Sequence, residues 1–234
     1  MLYHSHYKLH QVKKENILKK ELNLYMKKAI NAQINPHFLY NSLNSINQYI
    51  LKNDRINSSK YLNRFSTYMR SILNALKNDM QSLSEELKIS ELYLELEKLR
   101  LKEKLTYNLT VDQSVISKNI LIPSMIITAF LENAIWFGIL PKKDEGKIDI
   151  KVFQKEQNLI ISVKDNGIGR TESLKLQEKP DFKLSNPGAE NTLERIKLLN
   201  KLYQDIIKIE YLDIDEGENI RGTIVNIIIR LERS

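Results

Sequence analysis

The sequence predicts an α+β protein in two parts, a long helix and helical hairpin over residues 1–80 and a connecting helix with an α/β sandwich over residues 81–234. Three observations carry this. Apolar residues step by four and three along Leu18, Leu22, Tyr25, Ala29, Ala32, Pro36, Leu39, Leu43, Ile46 and Ile50, and again along Leu62, Phe65, Met69, Ile72 and Leu76, the spacing of helices that associate side by side. Ser82 followed by Glu85 forms the capping-box pattern that opens a helix. Beyond about Glu103 the pattern changes to short alternating runs separated by turn residues, which is the texture of strands mixed with helices.

Residues Leu9 to Ile50 contain almost no glycine and many good helix formers, so a long first helix is expected. Pro36 has no N–H to bond back to the carbonyl of Ala32; a kink follows, or a fresh start capped by Asn35. The polar stretch from Lys52 to Ser58 connects to the second helix and closes a hairpin. One apolar stripe per helix leaves much of each stripe uncovered, and pairing two copies into a four-helix bundle buries it. A homodimer is therefore expected.

The third helix runs from Ser82 to about Glu103, with Leu87, Leu92, Leu96 and Leu99 as its buried side, and bridges the two parts. Strands are expected at Lys104–Val111, Lys147–Phe153, Leu159–Val163, Ile206–Leu212 and Thr223–Leu231. A helix buried on most sides is expected at Pro123–Gly138, a long loop from Gly167 to Gly188, and a further helix from Ala189 to about Tyr203. Together they give a mixed sheet covered by helices on one face.

Composition narrows the function classes. With 42% apolar and 28% charged residues, the chain has the material for a core and lacks the signature of disorder. Cysteine is absent, which removes disulfides and thiolate metal sites and suits a reducing cytoplasm. No run approaches the roughly 18–20 apolar residues that span a bilayer. The net charge of +7 is spread among acids and accompanies no nucleic-acid reading motif, so it reads as solvated helix faces. His4, His6 and His10 are not read as a metal site, and neither a Walker A string nor a Rossmann fingerprint is present.

Four segments hold chemistry-bearing residues. His37 sits one position past the apolar seam in INAQINPHFLYNSLNSI; this is the place of an ordinary rim histidine, and also of an imidazole able to attack phosphorus. Glu132 and Asn133 interrupt the apolar helix FLENAIWFGI, where they serve either a helix-end hydrogen bond or a bound Mg²⁺ and phosphates. VKDNGIG places Asp165, Gly167 and Gly169 at a strand end, a plain turn or a close backbone approach to a flat ligand whose exocyclic amine a carboxylate accepts. SNPGAENTLERIKLLNKLY opens a helix after the long loop, and its first N–H groups suit phosphate.

The run Asn35, Pro36, His37, Phe38, Leu39, Tyr40, Asn41, Ser42, Leu43, Asn44 resembles the phosphoacceptor motif of the LytS-type sensor histidine kinases. FLENAIWFGI and VKDNGIG, in this order, resemble the asparagine-containing and adenine boxes of the GHKL superfamily. The resemblance extends over about Lys28 to Arg230 and implies a helical-hairpin dimerisation domain followed by a GHKL (Bergerat) sandwich. It implies ATP and Mg²⁺ as cofactors, with Asn133 as Mg²⁺ ligand, Glu132 orienting or activating the attacking group, and His37 as the phosphorylated residue. Asp165 would receive the adenine amine, and Gly167, Gly169, Gly188, Asn191, Arg195 and Thr223 would line the nucleotide site. The phosphoryl group would then pass to an aspartate of a response regulator, one with a LytTR-type DNA-binding domain, and the chain would be the cytoplasmic part of a membrane-bound sensor.

Departures from the family pattern are specific. Trp136 and Phe137 stand where relatives carry Lys or another polar residue followed by His, and Asn186 and Ala189 replace a glycine and a leucine at the lid hinge. Weaker ATP binding or slower turnover is the expectation, with Arg170, Lys175 or Lys183 available to compensate. Two other functions fit parts of the sequence. A degenerate kinase that binds partners without chemistry accommodates the departures, and a plain GHKL ATPase accommodates the sandwich but not the His37 run.

Overall fold

The structure is a computed structural model that describes residues 36–116, 118–177, 193–194, 196–201, 206–215 and 221–231, with the backbone alone at 36, 37, 177, 215 and 221. The expected helix before Pro36 and the Asn35 cap lie outside the described residues.

Helix α1 is described over Pro36–Leu51. Helix α2 (Arg55–Ala75) is capped by Asp54, whose side chain accepts from the Asn57 N–H, and the two helices pack as the expected hairpin. Strand β1 (Met80–Ser82) leads into α3 (Leu83–Leu101), where the Ser82–Glu85 capping box is present with both of its hydrogen bonds. A short 3₁₀ turn (Lys102–Lys104), β2 (Leu105–Val111), the single-turn α4 (Gln113–Ile116) and β3 (Leu121–Pro123) follow. Helix α5 (Ile126–Asn133) continues into a π-helical turn (Ala134–Ile139), ahead of β4 (Gly146–Lys155), β5 (Asn158–Asp165), α6 (Arg170–Gln177), β6 (Ile207–Asp215) and β7 (Arg221–Arg230).

Among the described residues, five strands form one sheet in the order β2-β4-β5-β7-β6, in which only β2 and β4 are parallel; β1 and β3 make a separate antiparallel pair. Alternate residues of the central strands, Ile148, Ile150, Val152, Ile161, Val163, Val225 and Ile227, are buried, as a period-two pattern with one covered face requires. The π turn and α5 cover that face, α3 stacks on α5, and the hairpin packs on α3. One continuous apolar core runs from Phe38 in α1 to Ile229 in β7. This is the expected α+β architecture, consistent with a GHKL sandwich. No helix among the described residues is long and apolar enough to cross a membrane.

Three local expectations are corrected. In α2 the residues turned inward are Tyr61, Tyr68, Ile72 and Ala75, while Leu62 faces outward at 49% exposure. In α1 Phe38, Ser42 and Ile46 face inward, while Leu43 and Ile50 are more than half exposed. Each hairpin helix therefore carries two apolar faces, and in α2 the rings of Tyr61 and Tyr68, with their large apolar bodies, take the inner one. On α3 the buried set is Leu83, Glu86, Ile89, Ser90, Tyr93, Leu94, Leu96 and Glu97, because this helix is sandwiched between α2 and α5. Of the four leucines expected there, only Leu96 is fully buried; Leu87, Leu92 and Leu99 pack at the core's margin. Finally, the segment expected to be loop from Gly167 onward contains the helix α6.

Candidate active site

Helix α5 begins after Met125, which has a left-handed backbone (φ 63), and has no side-chain cap of its own. Its free N–H groups are met from α3 instead. The fully buried Glu86 carboxylate accepts from the backbone of Met125 at 2.7 Å, Ile127 at 2.8 Å and Thr128 at 3.3 Å, and from the Gln81 side chain. Burial pushes the Glu86 pKa up, against the pull of these donors. An anion at a helix N-terminus complements the helix dipole, and this one fixes where the rest of α5 points.

Farther along α5, Glu132 is buried and Asn133 half-buried. Adjacent helical residues project about 100° apart. Glu132 shares its stripe with Thr128 and Trp136, which both touch α3. Thr128 lies 3.4 Å from Ser90 through their hydroxyls, and the Trp136 ring lies 5.2 Å beneath the Arg100 guanidinium. Arg100 is held in turn by the buried Glu97, at 3.0 Å from Nε. Trp136 is thus turned toward α3 and serves as an apolar seat for a cation. Its place in the sequence, where relatives carry a polar residue, is accounted for by packing.

The helix then widens into the π turn, with the Leu140 N–H bonded to the Ile135 carbonyl at 2.8 Å, a distortion common at functional sites. Within this turn the Gly138 carbonyl accepts from the Ile168 N–H at 3.0 Å. This bond joins the two chemistry-bearing boxes. Asp165 ends β5 at 5% exposure, and its Oδ1 accepts from the Gly167 N–H at 2.8 Å. A Cβ on Gly167 would sit 2.4 Å from the Gly138 Cα, one on Gly138 would lie 2.9 Å from Asp165 Oδ1, and one on Gly222 would lie 2.2 Å from the Asp165 carbonyl oxygen. Gly169 has φ 77, a conformation glycine adopts without steric cost. Thr223, also buried, is the cross-strand partner of Asp165.

Burial raises the Asp165 pKa from 3.8 to about 6, outweighing the backbone donors of Gly167 and Thr223 that lower it. One desolvated carboxylate beside close-packed glycine backbone suits an exocyclic amine donor, and the Asn133 amide oxygen is the hard ligand type that Mg²⁺ prefers. The residues therefore fit ATP and Mg²⁺.

Of the expected site residues, the structure brings Asp165, Gly167 and Thr223 together and sets them against the end of the helix that carries Glu132 and Asn133. His37 is the second residue of α1; its side chain lies outside the described residues, as do Gly188, Asn191 and Arg195 together with Asn186, Ala189 and Lys183. Phe38, the next residue, packs against Phe65, Tyr68 and Tyr93 at centroid distances of 6.4, 5.2 and 5.5 Å. Of the cations named as compensating, Arg170 stacks over Tyr211 of β6 at 4.7 Å and lies 4.0 Å from Asp213, while Lys175 pairs with Glu172 at 3.5 Å. Gly138 is the member that sequence reading missed, and its one signal is a glycine at the exit of an otherwise apolar helix.

Comparison with known proteins addresses the family. The family model described as Histidine kinase matches residues 25–105. The sensor protein LytS of Staphylococcus haemolyticus is 32% identical over 168 residues, 72% of this chain and 28% of that protein. The sensor histidine kinase YesM of Bacillus subtilis is 33% identical over 69% of this chain and 28% of its own length, and YpdA of Escherichia coli is 32% identical over 81% and 33%. The chain thus spans about a third or less of these relatives. Among solved structures, the Acinetobacter baumannii histidine kinase AdeS aligns with a TM-score of 0.43 at 17% identity, covering 79% of this chain and 85% of that one; the fold described here stands on its own strand order. The Pro36–His37 run at the head of α1 and relatives alike over more than two thirds of the chain converge on one conclusion: the chain belongs to the LytS-type sensor histidine kinases.

Proposed function

We propose that the chain is the kinase portion of a two-component sensor, in which ATP bound beside Asp165 phosphorylates His37. The observation that carries the reading is the Ile168–Gly138 hydrogen bond, which sets the Asp165 cradle against the helix bearing Glu132 and Asn133. Residues 1–80 and 81–234 act as its two working parts.

When bound, Mg²⁺-ATP supplies the transferable phosphoryl group and the charge that screens it. Asp165 would accept from the adenine amine, with Thr223 and the Gly167 backbone beside it. Asn133 offers its amide oxygen to the metal. His37 presents an imidazole nitrogen lone pair, and Glu132 orients the ring and holds its departing proton. Gly188, Asn191 and Arg195 complete the phosphate side of the site. Catalysis of this kind rests on position and charge rather than on covalent chemistry by the protein.

Three further assignments belong to the same reading. The outward stripe of Leu43, Ile50, Leu62 and Leu73, each about half exposed or more, is the face that a second copy of the hairpin covers to form a four-helix bundle. The phosphoryl group passes from His37 to an aspartate of a response regulator with a LytTR-type DNA-binding domain. In the cell, the chain works in the cytoplasm as part of a membrane-bound sensor.

The test is incubation with γ-labelled ATP and Mg²⁺. Acid-labile label on the native chain, and none on His37→Gln or Asn133→Ala, is expected; a native chain that binds ATP yet takes up no label contradicts the reading and favours a degenerate, regulatory protein.

A further inference from the structure

Strand β2 is one edge of the sheet: β4 pairs with one side of it and, among the described residues, no strand pairs with the other. The Asp112 N–H, just past the strand, donates to the Val152 carbonyl of β4 at 2.8 Å. Backbone groups alternate between the two sides of a strand, so those of Tyr107, Leu109 and Val111 turn away from β4. Natural sheet edges are guarded by charges, proline or a bulge. Strand β2 reads LTYNLTV, with no charged residue and no proline, and its register with β4 runs without interruption. Thr106, Asn108 and Thr110 are exposed. This edge is open to a further strand.

Alongside it lies a cleft of about 560 Å³ bounded by α2, α3 and the start of β2. Leu105, Thr106 and Tyr107 all line it. Successive side chains of a strand point to opposite faces, so three in a row put the cleft at the strand's edge and not over one face. Its charges are unbalanced. Arg64 and Glu95 pair with each other, which leaves Lys60, Lys98 and Lys102 against Glu103. All three lysines are exposed, and none forms an ion pair among the described residues. Lys98 Nζ stands 5.7 Å over the Tyr107 ring, which sets a cation beside the first of the outward backbone groups.

We propose that this cleft and the β2 edge receive an extended acidic segment of another protein, which pairs with β2 as an added strand and sets its carboxylates against Lys60, Lys98 and Lys102. Main-chain hydrogen bonds supply affinity in this mode of recognition, and the lysines select the sign of the partner's charge. Residues 1–35 of this chain are a poor occupant, with seven lysines against two glutamates. A second copy of β2 brings no negative charge to the cleft. Because α2 and α3 form one wall and β2 the other, the bound segment ties the helical hairpin to the sheet.

The probe is a short, end-capped peptide that alternates glutamate and valine, carries a fluorophore and is titrated with the whole chain while anisotropy is read. The assay needs no ATP, so its outcome is separate from that of the labelling test above. Saturable binding is expected, weakened about tenfold or more by Lys60→Glu combined with Lys102→Glu. The thermal midpoint of that variant stays at the native value, since both side chains are exposed. A lysine–valine peptide, and an acidic peptide interrupted by proline, are expected to bind weaker by about tenfold or more. Amide hydrogen exchange at Tyr107 and Leu109 is expected to slow when the acidic peptide binds. No binding of that peptide overturns the proposal. So does equal binding of the proline-interrupted peptide, which reduces the site to charge attraction, and so does unchanged exchange along β2. Binding of duplex DNA or anionic vesicles in place of the peptide overturns it as well.

Discussion

Phe38 and Tyr93 pack with their ring centroids 5.5 Å apart and their planes tilted by 43°, so the residue that follows His37 is held against the helix that lies against α5. Both rings are buried, Phe38 at 4% exposure and Tyr93 at none. The contact joins the acceptor hairpin to the nucleotide-binding part through packing, and the Tyr49 hydroxyl, donating to the Leu99 carbonyl at 3.0 Å, adds a hydrogen bond farther along the same interface. Truncating Phe38 to alanine deletes most of that aromatic cluster. A loss of about 3–5 kcal/mol in unfolding free energy is expected, measured by denaturant titration; a loss below about 1 kcal/mol would show that the hairpin is not seated on α3.

The Asp165 carboxyl has a pKa raised from 3.8 to about 6 by burial. The folded state therefore binds this proton more tightly than the unfolded chain does. Its stabilising contribution is complete below about 3.8 and is lost as pH rises through about 6, a change of roughly 3 kcal/mol at most. Nucleotide binding runs the other way, since the adenine amine needs the ionised acceptor. ATP affinity measured by calorimetry is expected to weaken as pH falls through about 6. Asp165→Asn is expected to remove the pH dependence, unfold at higher denaturant than native at pH 7.5, and lose at least tenfold in ATP affinity.

Glu86 replaces a local cap for α5 by reaching from another helix. Glu86→Ala leaves the N–H groups of Met125, Ile127 and Thr128 buried without their acceptor. A destabilisation of about 2–4 kcal/mol follows, with Glu86→Gln milder because an amide oxygen still accepts. Thermal unfolding of the two variants checks the order; equal midpoints for alanine and native would remove Glu86 from the support of the site.

The outward apolar stripe predicts assembly. Leu43→Lys combined with Ile50→Lys places two charges where a partner hairpin would cover 57% and 56% exposed side chains. Sedimentation is expected to show a native dimer and a folded monomeric double variant. A native chain that sediments as a monomer at tens of micromolar contradicts the four-helix bundle.

Much of this architecture was legible before any coordinates. The Ser82–Glu85 box is a local signal, read within four residues, and both of its hydrogen bonds form. Alternation along Ile148–Val152 and Leu159–Val163 marks strands because one sheet face is buried and the other is not. What escaped depends on partners far away in sequence. The four-and-three stepping identifies the hairpin helices but not which of two apolar faces turns inward, and the outcome at Tyr61, Tyr68 and Tyr93 is decided by rings meeting across α1, α2 and α3. Glu86 resembles any surface glutamate until its acceptor role, 39 residues on, is seen. The π turn and the packing of Gly138 on Gly167 arise from sheet closure and leave no periodic trace.

The central claim is that His37 receives the phosphoryl group from a nucleotide held beside Asp165. Its most direct test is peptide mapping by mass spectrometry after reaction of the native chain with Mg²⁺-ATP, with digestion kept at neutral to alkaline pH to preserve P–N bonds. The account predicts one phosphorylated peptide, with the added mass on His37, and its absence from Asp165→Asn at the same ATP concentration. Stoichiometric phosphorylation at any other residue, with His37 unmodified, would contradict it.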